Sequence, residues 1–482
     1  MRCAFLLVCS LLSAAEWPQF RGPAAAGVGD AAKIPTDIGP NSPHLVWKTP
    51  LAAGHSSPVI AGNRIFLTAA EGGETADAGR DKIIDKGGRI FTLALDRATG
   101  KILWRRDAPR PRQERFQPTG SPASPTPVTD GRSVYVFFGD FGLIAYTVDG
   151  AERWRLPLGP FNNVNGHGSS PILAEGKVIL VCDQDTGSYL IAVDQNTGKV
   201  AWKTDRSEYV RSYTTPAYYK PASGPSELIV SGSYELAGYQ VQTGEKLWWV
   251  RGQSWQPKSV PILDGNIIYS HGWEGGGEAD TPTETATFAE TAKLYDKNND
   301  RLLTPEELEP IFPNPRAVAN SDLGNDGALD ERDWNNYRAR RASRNRLIAL
   351  RHGGRGDLTN SNVLWSMQKF LPNCPTPLLY QGVLYLVKDG GIMTALNPKN
   401  GEVLKQGRLT GAIGTYYASP VAAAGKVIFL SEHGEVSVVK AGADWELLAV
   451  HEFEDPIFAT PAIVGNRLYL RTKSALYCFE ER

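Results

Sequence analysis

The sequence predicts an all-β protein, an eight-bladed β-propeller of four-stranded blades closed by a strand from the N-terminal region. Three observations carry that prediction. The first is a repeated hairpin: residues 94–104, ALDRATGKILW, and 192–202, AVDQNTGKVAW, share one spacing of apolar strand end, Asp, Thr-Gly turn and a strand carrying Trp. Asp194 can hydrogen-bond the backbone two residues on, Gly198 supplies the positive φ of the turn, and Trp202 lies on the returning strand. The second is a marker of one small residue, a Pro, an apolar pair, a Gly turn and an apolar strand. It occurs at Pro58, Pro127, Pro171, Pro216, Pro261, Pro377, Pro420 and Pro461. The third is the period. Pro127, Pro171, Pro216 and Pro261 are 44 or 45 residues apart, and Pro377, Pro420 and Pro461 are 43 and 41 apart, the length of a four-stranded blade. A single unit cannot bury its Trp, so each indole is expected to meet an equivalent surface on the neighbouring unit.

Bulk properties agree with many short strands. The 49 Gly and 33 Pro suit turns, and the 12 Trp suit a repeat that uses one per unit. With 51 Lys and Arg against 52 Asp and Glu the formal net charge is −1, which leaves no electrostatic footprint for nucleic acid or an anionic membrane. Met1-Arg2, an apolar run from Ala4 to Leu12 and Ser13-Ala14-Ala15 read as a signal peptide over residues 1–15, so the propeller is expected to occupy 16–482 of a periplasmic or secreted protein. Val8 before Cys9 fits a lipid-attachment site poorly. No other apolar run approaches ~20 residues, so no membrane span is expected. Cys182, Cys374 and Cys478 are far apart, in or beside apolar strands, and read as small buried side chains rather than a disulfide framework. A monomer is expected.

Taken in order, each marker Pro falls at the first residue of a strand, where no ladder donor is lost, and marks the innermost strand of a blade. Trp104, Trp154, Trp202, Trp248, Trp365 and Trp445 are expected to close successive units; the sixth departs, with Lys405 where Trp should stand. The eighth unit reaches Tyr477-Cys478-Phe479 without a closing strand, and residues 44–51, HLVWKTPL, with Trp47, are expected to supply it and remove the open edge. Two intervals are long. Pro58 to Pro127 spans 69 residues, which places extra chain after Ala70 and in the basic 105–118, RRDAPRPRQERFQP, read as a solvated loop. Pro261 to Pro377 spans 116, an insertion within blade 5 taken as residues 281–345.

That insertion does not read as strand. Residues 281–295, TPTETATFAETAKLY, begin with a Thr cap and Pro at the first helical position, a helix start. In the following DKNNDRLLTPEE, Asp296, Asn298, Asp300, the Leu302 carbonyl, Thr304 and Glu307 fall at positions 1, 3, 5, 7, 9 and 12 of an EF-hand loop. There, oxygens wrap a hard cation such as Ca2+ and the last Glu can bind through both of its own. Leu303 at position 8 is the apolar residue that pairs between hands, and Arg301 stands at position 6, where Gly eases the turn. A second loop, DLGNDGALDERD, offers Asp322, Asp326, the Ala328 carbonyl, Asp330 and Asp333, with Gly327 at the turn but Gly324 giving no oxygen at position 3. The loops start 26 residues apart, which leaves room only for short helices between them, and residues 335–344, NNYRARRASR, read as a basic helix. Acidic turns of this kind also occur without a metal; the ligand order and the second copy favour calcium. The module is expected on the rim of blade 5.

The hairpins, the Ser/Thr-Pro strand starts and EWPQFRGP at residues 16–23 together resemble the pyrroloquinoline quinone (PQQ) repeat propellers, over nearly all of the chain except the insert. The resemblance implies an eight-bladed propeller and either of two classes: periplasmic dehydrogenases that use PQQ with calcium, or cofactor-free scaffolds such as the propeller lipoprotein of the outer-membrane assembly machine. The first class would imply adjacent cysteines over the quinone and a Glu/Asn/Asp set for calcium and catalysis. The sequence has no adjacent Cys pair and no C-x-x-C-H haem site, and no catalytic Asp can be placed by motif, so no catalytic residue is assigned and PQQ is not the favoured cofactor. The favoured expectation is an exported scaffold that binds a protein or small ligand at one mouth of the ring. Loops entering the innermost strands gather there, which makes His55, His167, Tyr213, Trp255, Lys258, Asn373, Tyr416 and Tyr417 the candidate face. For each of them the plainer alternative is packing or turn structure.

Overall fold

The computed structural model describes residues 16–79, 81–275, 277 and 284–481. The signal peptide expected over 1–15 and the helix start expected at Thr281-Pro282 lie outside the described residues. Blade 1 runs outward from the axis as Val59–Ala61, Arg64–Glu71, Arg89–Asp96 and Ile102–Asp107, an antiparallel sheet. The same order recurs from Val128–Thr129, Ile172–Ala174, Ala217–Tyr219, Ile262–Asp264, Leu378–Tyr380, Val421–Ala423 and Ala462–Val464, so each innermost strand starts one residue after a marker Pro. Blade 8 takes its outermost strand from Leu45–Pro50, which pairs antiparallel with Ala475–Glu480 and sets Trp47 opposite Cys478. One core cluster runs through blades 7, 8 and 1, which closes the ring. Blade 4 carries a fifth, two-residue strand, Gly356–Asp357, lent by blade 5.

The Trp residues are sheltered between neighbours. In the outer hairpins Trp104, Trp154, Trp202 and Trp365 face Ala94, Ala145, Ala192 and Ala349 across the ladder. Their indole N–H groups donate to the next blade, at Val148 O, Gln195 O, Val241 O and Pro398 O, over 2.9 to 3.0 Å. The turn glycine of that next blade lies flat on the ring: a Cβ at Gly150, Gly198, Gly244 or Gly401 would come within 2.5 to 2.8 Å of it. Trp47 meets Gly100 of blade 1 in the same way, so the closing strand locks to the first blade as blades 1, 2, 3 and 5 lock to their successors; in blade 4 Trp248 faces Gly238 and its indole N–H donates within the blade, to Glu227 Oε2 over 2.7 Å. The sixth and seventh units correct the expectation. Ala449, and not Trp445, holds the ladder position in blade 7, opposite Val438, while Lys405 holds it in blade 6, opposite Ala395. Trp445 instead packs into the blade 6 cluster beneath Lys405, whose Nζ donates to the Trp445 carbonyl over 2.8 Å. One indole from blade 7 thus fills the space that blade 6 leaves empty.

Residues 16–30 occupy the axis. Trp17 exchanges both backbone hydrogen bonds with Ile60 of blade 1, the Thr129 N–H of blade 2 donates to Pro18 O, and Ala422 of blade 7 bonds Gly27 and Gly29. Arg21 is fully buried and donates to Ala25 O, Pro377 O and Pro420 O. Antiparallel strands reverse direction at every step, so loops entering an innermost strand and loops joining second to third strands emerge on one face. Both long insertions are there. The first forms the hairpin Glu74–Asp77 with Ile83–Lys86, and Phe116 of the basic run bridges to Ile83. That run is solvated only in part: Arg106, Pro111 and Gln113 are exposed, but the Arg110 side chain is buried between Asp85 and Asp140 at 2.9 and 2.6 Å, and Arg112 donates to Gly139 O and Leu158 O. The gathered carboxylates and loop carbonyls draw the guanidinium groups inward. The second insertion holds α1 (Phe288–Tyr295), α2 (Pro305–Leu308), α3 (Pro315–Ser321) and α4 (Glu331–Ala342). Among the described residues no helix is long and apolar enough to cross a membrane.

Candidate functional site

The inner face of the ring is stitched by its marker residues. The hydroxyl before each Pro accepts the backbone N–H of the preceding blade: Ser57 N to Thr126 Oγ1, Thr126 N to Ser170 Oγ and Ser170 N to Thr215 Oγ1 on one side. On the other, Val260 N bonds Thr376 Oγ1, Thr376 N bonds Ser419 Oγ, Ser419 N bonds Thr460 Oγ1 and Thr460 N returns to Ser57 Oγ. Seven links of 2.9 to 3.1 Å encircle the axis. The chain breaks only after Thr215, because Val260 has no hydroxyl; there Thr214 Oγ1 donates to Ser259 O instead.

All seven hydroxyl residues line a well of about 220 Å3 on the elaborated face, together with Phe20, His55, Tyr213, Lys258, Cys374, Tyr417 and Phe458. Phe20 comes from the axial segment and closes the well from within. Among the described residues no Asp or Glu lines it. Lys258 Nζ donates to Asn373 Oδ1 over 3.0 Å, and burial lowers its pKa below the ordinary lysine range. His55 stacks on Phe458 with ring centres 4.2 Å apart; burial and then the charges of Arg471 and Lys473 drive its pKa down to about 3.

Of the eight residues expected at the mouth, His55, Tyr213, Lys258 and Tyr417 reach the well. The other four do not face it. His167 packs edge-on against Phe161 and Phe137, Tyr416 is core and donates its hydroxyl to Ala412 O, and Asn373 serves by holding Lys258. Trp255 is buried beneath the insert, against Leu323 and the Arg211 and Arg340 guanidinium groups. The marker hydroxyls were visible in the sequence as strand-start signals, but their convergence needs ring closure.

The insert is no free module on the rim of blade 5; it lies back over blades 3 and 4. Leu323 is buried with Val210 and Trp255, Asn162 Nδ2 donates to Leu323 O over 2.8 Å, and Arg211 Nη1 donates to Asn320 O over 3.0 Å. From the insert side, Arg332 Nη2 donates to Asp185 O over 2.7 Å and Arg340 pairs with Glu274 at 2.9 Å. Its own core is Phe288, Leu303, Leu308, Val318, Leu329 and Trp334. Helix α1 starts later than expected, at Phe288, because Thr287 and Glu290 form a capping box.

The two acidic loops are built alike. Leu303 and Leu329, at position 8 of each, exchange backbone hydrogen bonds of 3.0 and 2.9 Å. Positions 4 and 6 have positive φ in both, Asn299 at 58° and Arg301 at 64°, Asn325 at 60° and Gly327 at 95°. Arg301 therefore adopts the backbone that Gly would take more easily. Asp296 Oδ2 accepts the Arg301 N–H while Oδ1 is buried without a partner. Glu307 accepts Lys297 N–H and Thr304 N–H, one on each oxygen. Asp333 is buried, and desolvation, with Asp330 and Asp322 nearby, raises its pKa to about 6. Among the described residues no three His, Cys, Asp or Glu side chains converge closely enough to hold a metal ion. The loop backbones and the orphaned Asp296 oxygen fit a hard cation; the side-chain carboxylates are turned to backbone N–H donors.

The well can be set against the group that the fold's quinone enzymes carry. Among the described residues its lining offers no carboxylate to ligate calcium beside a quinone or to take a proton, and a single Cys. That donor set does not fit a PQQ–calcium pair.

A family model described as outer membrane protein assembly factor BamB matches residues 86–275 and 330–482, passing over most of the insert. The outer membrane protein assembly factor BamB of Alkalilimnicola ehrlichii is 27% identical over 225 residues, 45% of this chain, and the match spans 48% of that relative's length. Among solved structures, BamB from Moraxella catarrhalis superposes with a TM-score of 0.52 at 11% identity over 90% of this chain and 98% of its own. A europium-containing methanol dehydrogenase gives 0.54 at 10% identity over 97% and 98%. At such identities the structural likeness shows the fold alone.

Proposed function

Because the chain belongs to the family of the outer membrane protein assembly factor BamB, we propose that it is an exported scaffold that binds a partner protein on the elaborated face of the propeller. One observation carries this reading: the blade 1 hairpin, the folded-in basic run and the insert all gather on the face that holds the well, leaving the open sector over blades 5 to 8 with exposed Phe370 and Ile413. Scaffold faces are built from such loops on a rigid ring. The name of the relatives supports a role in assembling other proteins, and a periplasmic setting accords with it. Purified protein used as bait in an extract of its host's envelope is expected to retain a discrete partner, and a Phe370→Ser, Ile413→Ser variant with an unchanged melt is expected to release it. Equal capture by the variant would remove the reading.

The paired loops are proposed to bind calcium, with Asp296, Asn298, Asp300, the Leu302 carbonyl, Thr304 and Glu307 as the first site and Asp322, Asp326, the Ala328 carbonyl, Asp330 and Asp333 as a weaker second. Bound there, calcium would draw each loop together and stiffen the insert against blades 3 and 4. Calorimetry is expected to register calcium uptake by the native protein that Asp296→Ala and Glu307→Ala each reduce at least tenfold. Unchanged uptake in both variants would rule out the first loop. Oxidoreductase activity is the alternative; addition of PQQ and calcium is expected to give no quinone absorbance band and no dye reduction, and either signal would restore it.

A further inference from the structure

The well has a property that ring-stitching alone does not require. Each of the seven strand-start hydroxyls that line it accepts a backbone N–H, and among the described residues none of these seven donates its own proton to a protein acceptor. Ser57, Thr126, Ser170, Thr215, Thr376, Ser419 and Thr460 are each no more than 3% exposed, so their O–H groups have the well as their outlet. Buried donors left unmatched are costly, and their protons point where an acceptor is wanted. Charge adds to this. Lys258 Nζ reaches the well with a neutral amide as its bonded partner. The two carboxylates whose charges it feels are occupied elsewhere, Glu274 by Arg340 and Asp389 by the Tyr416 N–H, and neither lines the well.

Two further cations stand just behind the lining. The Arg21 guanidinium, one residue from Phe20, is held by carbonyls, among them Pro377 O and Pro420 O; the Arg471 guanidinium is held by Ser56 O, Ser56 Oγ and Thr68 O. Among the described residues neither has a carboxylate within ion-pair distance, although both are buried. Buried cations are ordinarily paired with a charge; two guanidinium groups without a carboxylate partner, and an ammonium whose carboxylates stand back from the cavity, create a local potential that favours a negative guest.

We propose that the axial well is a binding site for a small oxyanion, a free carboxylate or phosphate, with Lys258 as its counter-ion and the ring hydroxyls as its hydrogen-bond donors. This rests on the well being the ligand-facing end of the scaffold, but not on the identity of any protein partner. The oxygen atoms of the guest take up the free hydroxyl protons; no bond is made or broken. A neutral molecule of the same shape would leave the ammonium unpaired, so charge sets the selectivity and the approximately 220 Å3 of space sets the size.

The experiment is calorimetric titration of the full-length protein with succinate, with phosphate and with the neutral analogue succinamide, paired with thermal melts at each ligand concentration. Saturable binding of succinate or phosphate, with succinamide at least tenfold weaker, is expected, and which of the two binds more tightly tells a carboxylate site from a phosphate site. Lys258→Met is expected to weaken binding at least tenfold, while Lys258→Arg, which keeps the charge, retains it within a few-fold; Ser57→Ala with Ser170→Ala tests the hydroxyls and is expected to weaken it several-fold. No saturable binding of either anion to folded protein, equal binding of succinamide, or unchanged binding by Lys258→Met would overturn the proposal. Protein that captures its partner but neither anion defeats the anion site and leaves the scaffold; protein that binds an anion but captures nothing does the reverse.

Discussion

At the scale of single residues, the glycine of each Thr-Gly turn has two duties that the sequence shows as one. Gly198 has φ +73°, and a Cβ there would also sit 2.7 Å from the Trp154 ring. Gly198→Ala is therefore expected to lose more than about 1 kcal/mol in denaturant unfolding, beyond what the turn conformation alone would cost. The buried ion pair of blade 3 is as sharply defined: Arg206 and Asp183 are wholly buried and meet through two bonds of 2.7 Å. Asp183→Asn strands the guanidinium and is expected to cost about 3–5 kcal/mol by the same assay. Histidines set the pH response. Desolvation drives His167 from 6.5 down to about 3 and His271 down to about 4, as it does His55. The unfolded chain takes up protons from about pH 6.5 downward while the fold refuses them until about pH 4 or lower, so stability is full above the former and falls as pH drops through this window. Thermal melts should show that fall, and His167→Phe should lessen it, leaving the share of His55 and His271.

Elements show how far local signals reach. The insert's helices and loops follow from caps and acidic spacing, yet its place over blades 3 and 4 is decided by side chains that no local pattern marks. Leu323 stands at position 2 of the second loop, but it serves as the apolar plug between Val210 and Trp255. Leu323→Asp is expected to free the insert without unfolding the ring, read as faster limited proteolysis between α3 and α4 at an unchanged melt of the propeller. In blades 6 and 7 the repeat breaks: Trp445 stands four residues before the repeat position, which Ala449 holds, and points back under Lys405. A motif count finds the indole; only the ladder register shows which blade it serves. The basic run after blade 1 turns its arginines inward because their partners, Asp85 on the Ile83–Lys86 strand and Asp140 in a blade 2 turn, come from segments that no local pattern links to it.

For the whole molecule, closure is the property on which the rest depends. The strand Leu45–Pro50 completes blade 8, and its Trp47 lies against Gly100 of blade 1. Removal of residues up to 51 would expose both the edge of Ala475–Glu480 and the axial channel that residues 16–30 fill. Such a truncation is expected to aggregate in size-exclusion chromatography, and a soluble truncated ring with the native melt would contradict the account.

The sequence by itself determined the blade count, the strand that closes the ring, the pairing of Trp104, Trp154, Trp202 and Trp365 with the next blade and the two acidic loops, because these are written as fixed spacings within one or two units. Only the tertiary structure decided that the N-terminal segment plugs the axis, that the insert folds back over blades 3 and 4, and that seven strand-start hydroxyls and Lys258 face one cavity without a carboxylate among the described residues. The reason is geometric. Convergence around an axis joins residues up to some 400 positions apart, such as Thr460 and Ser57, and no local period can encode which of them will share a wall.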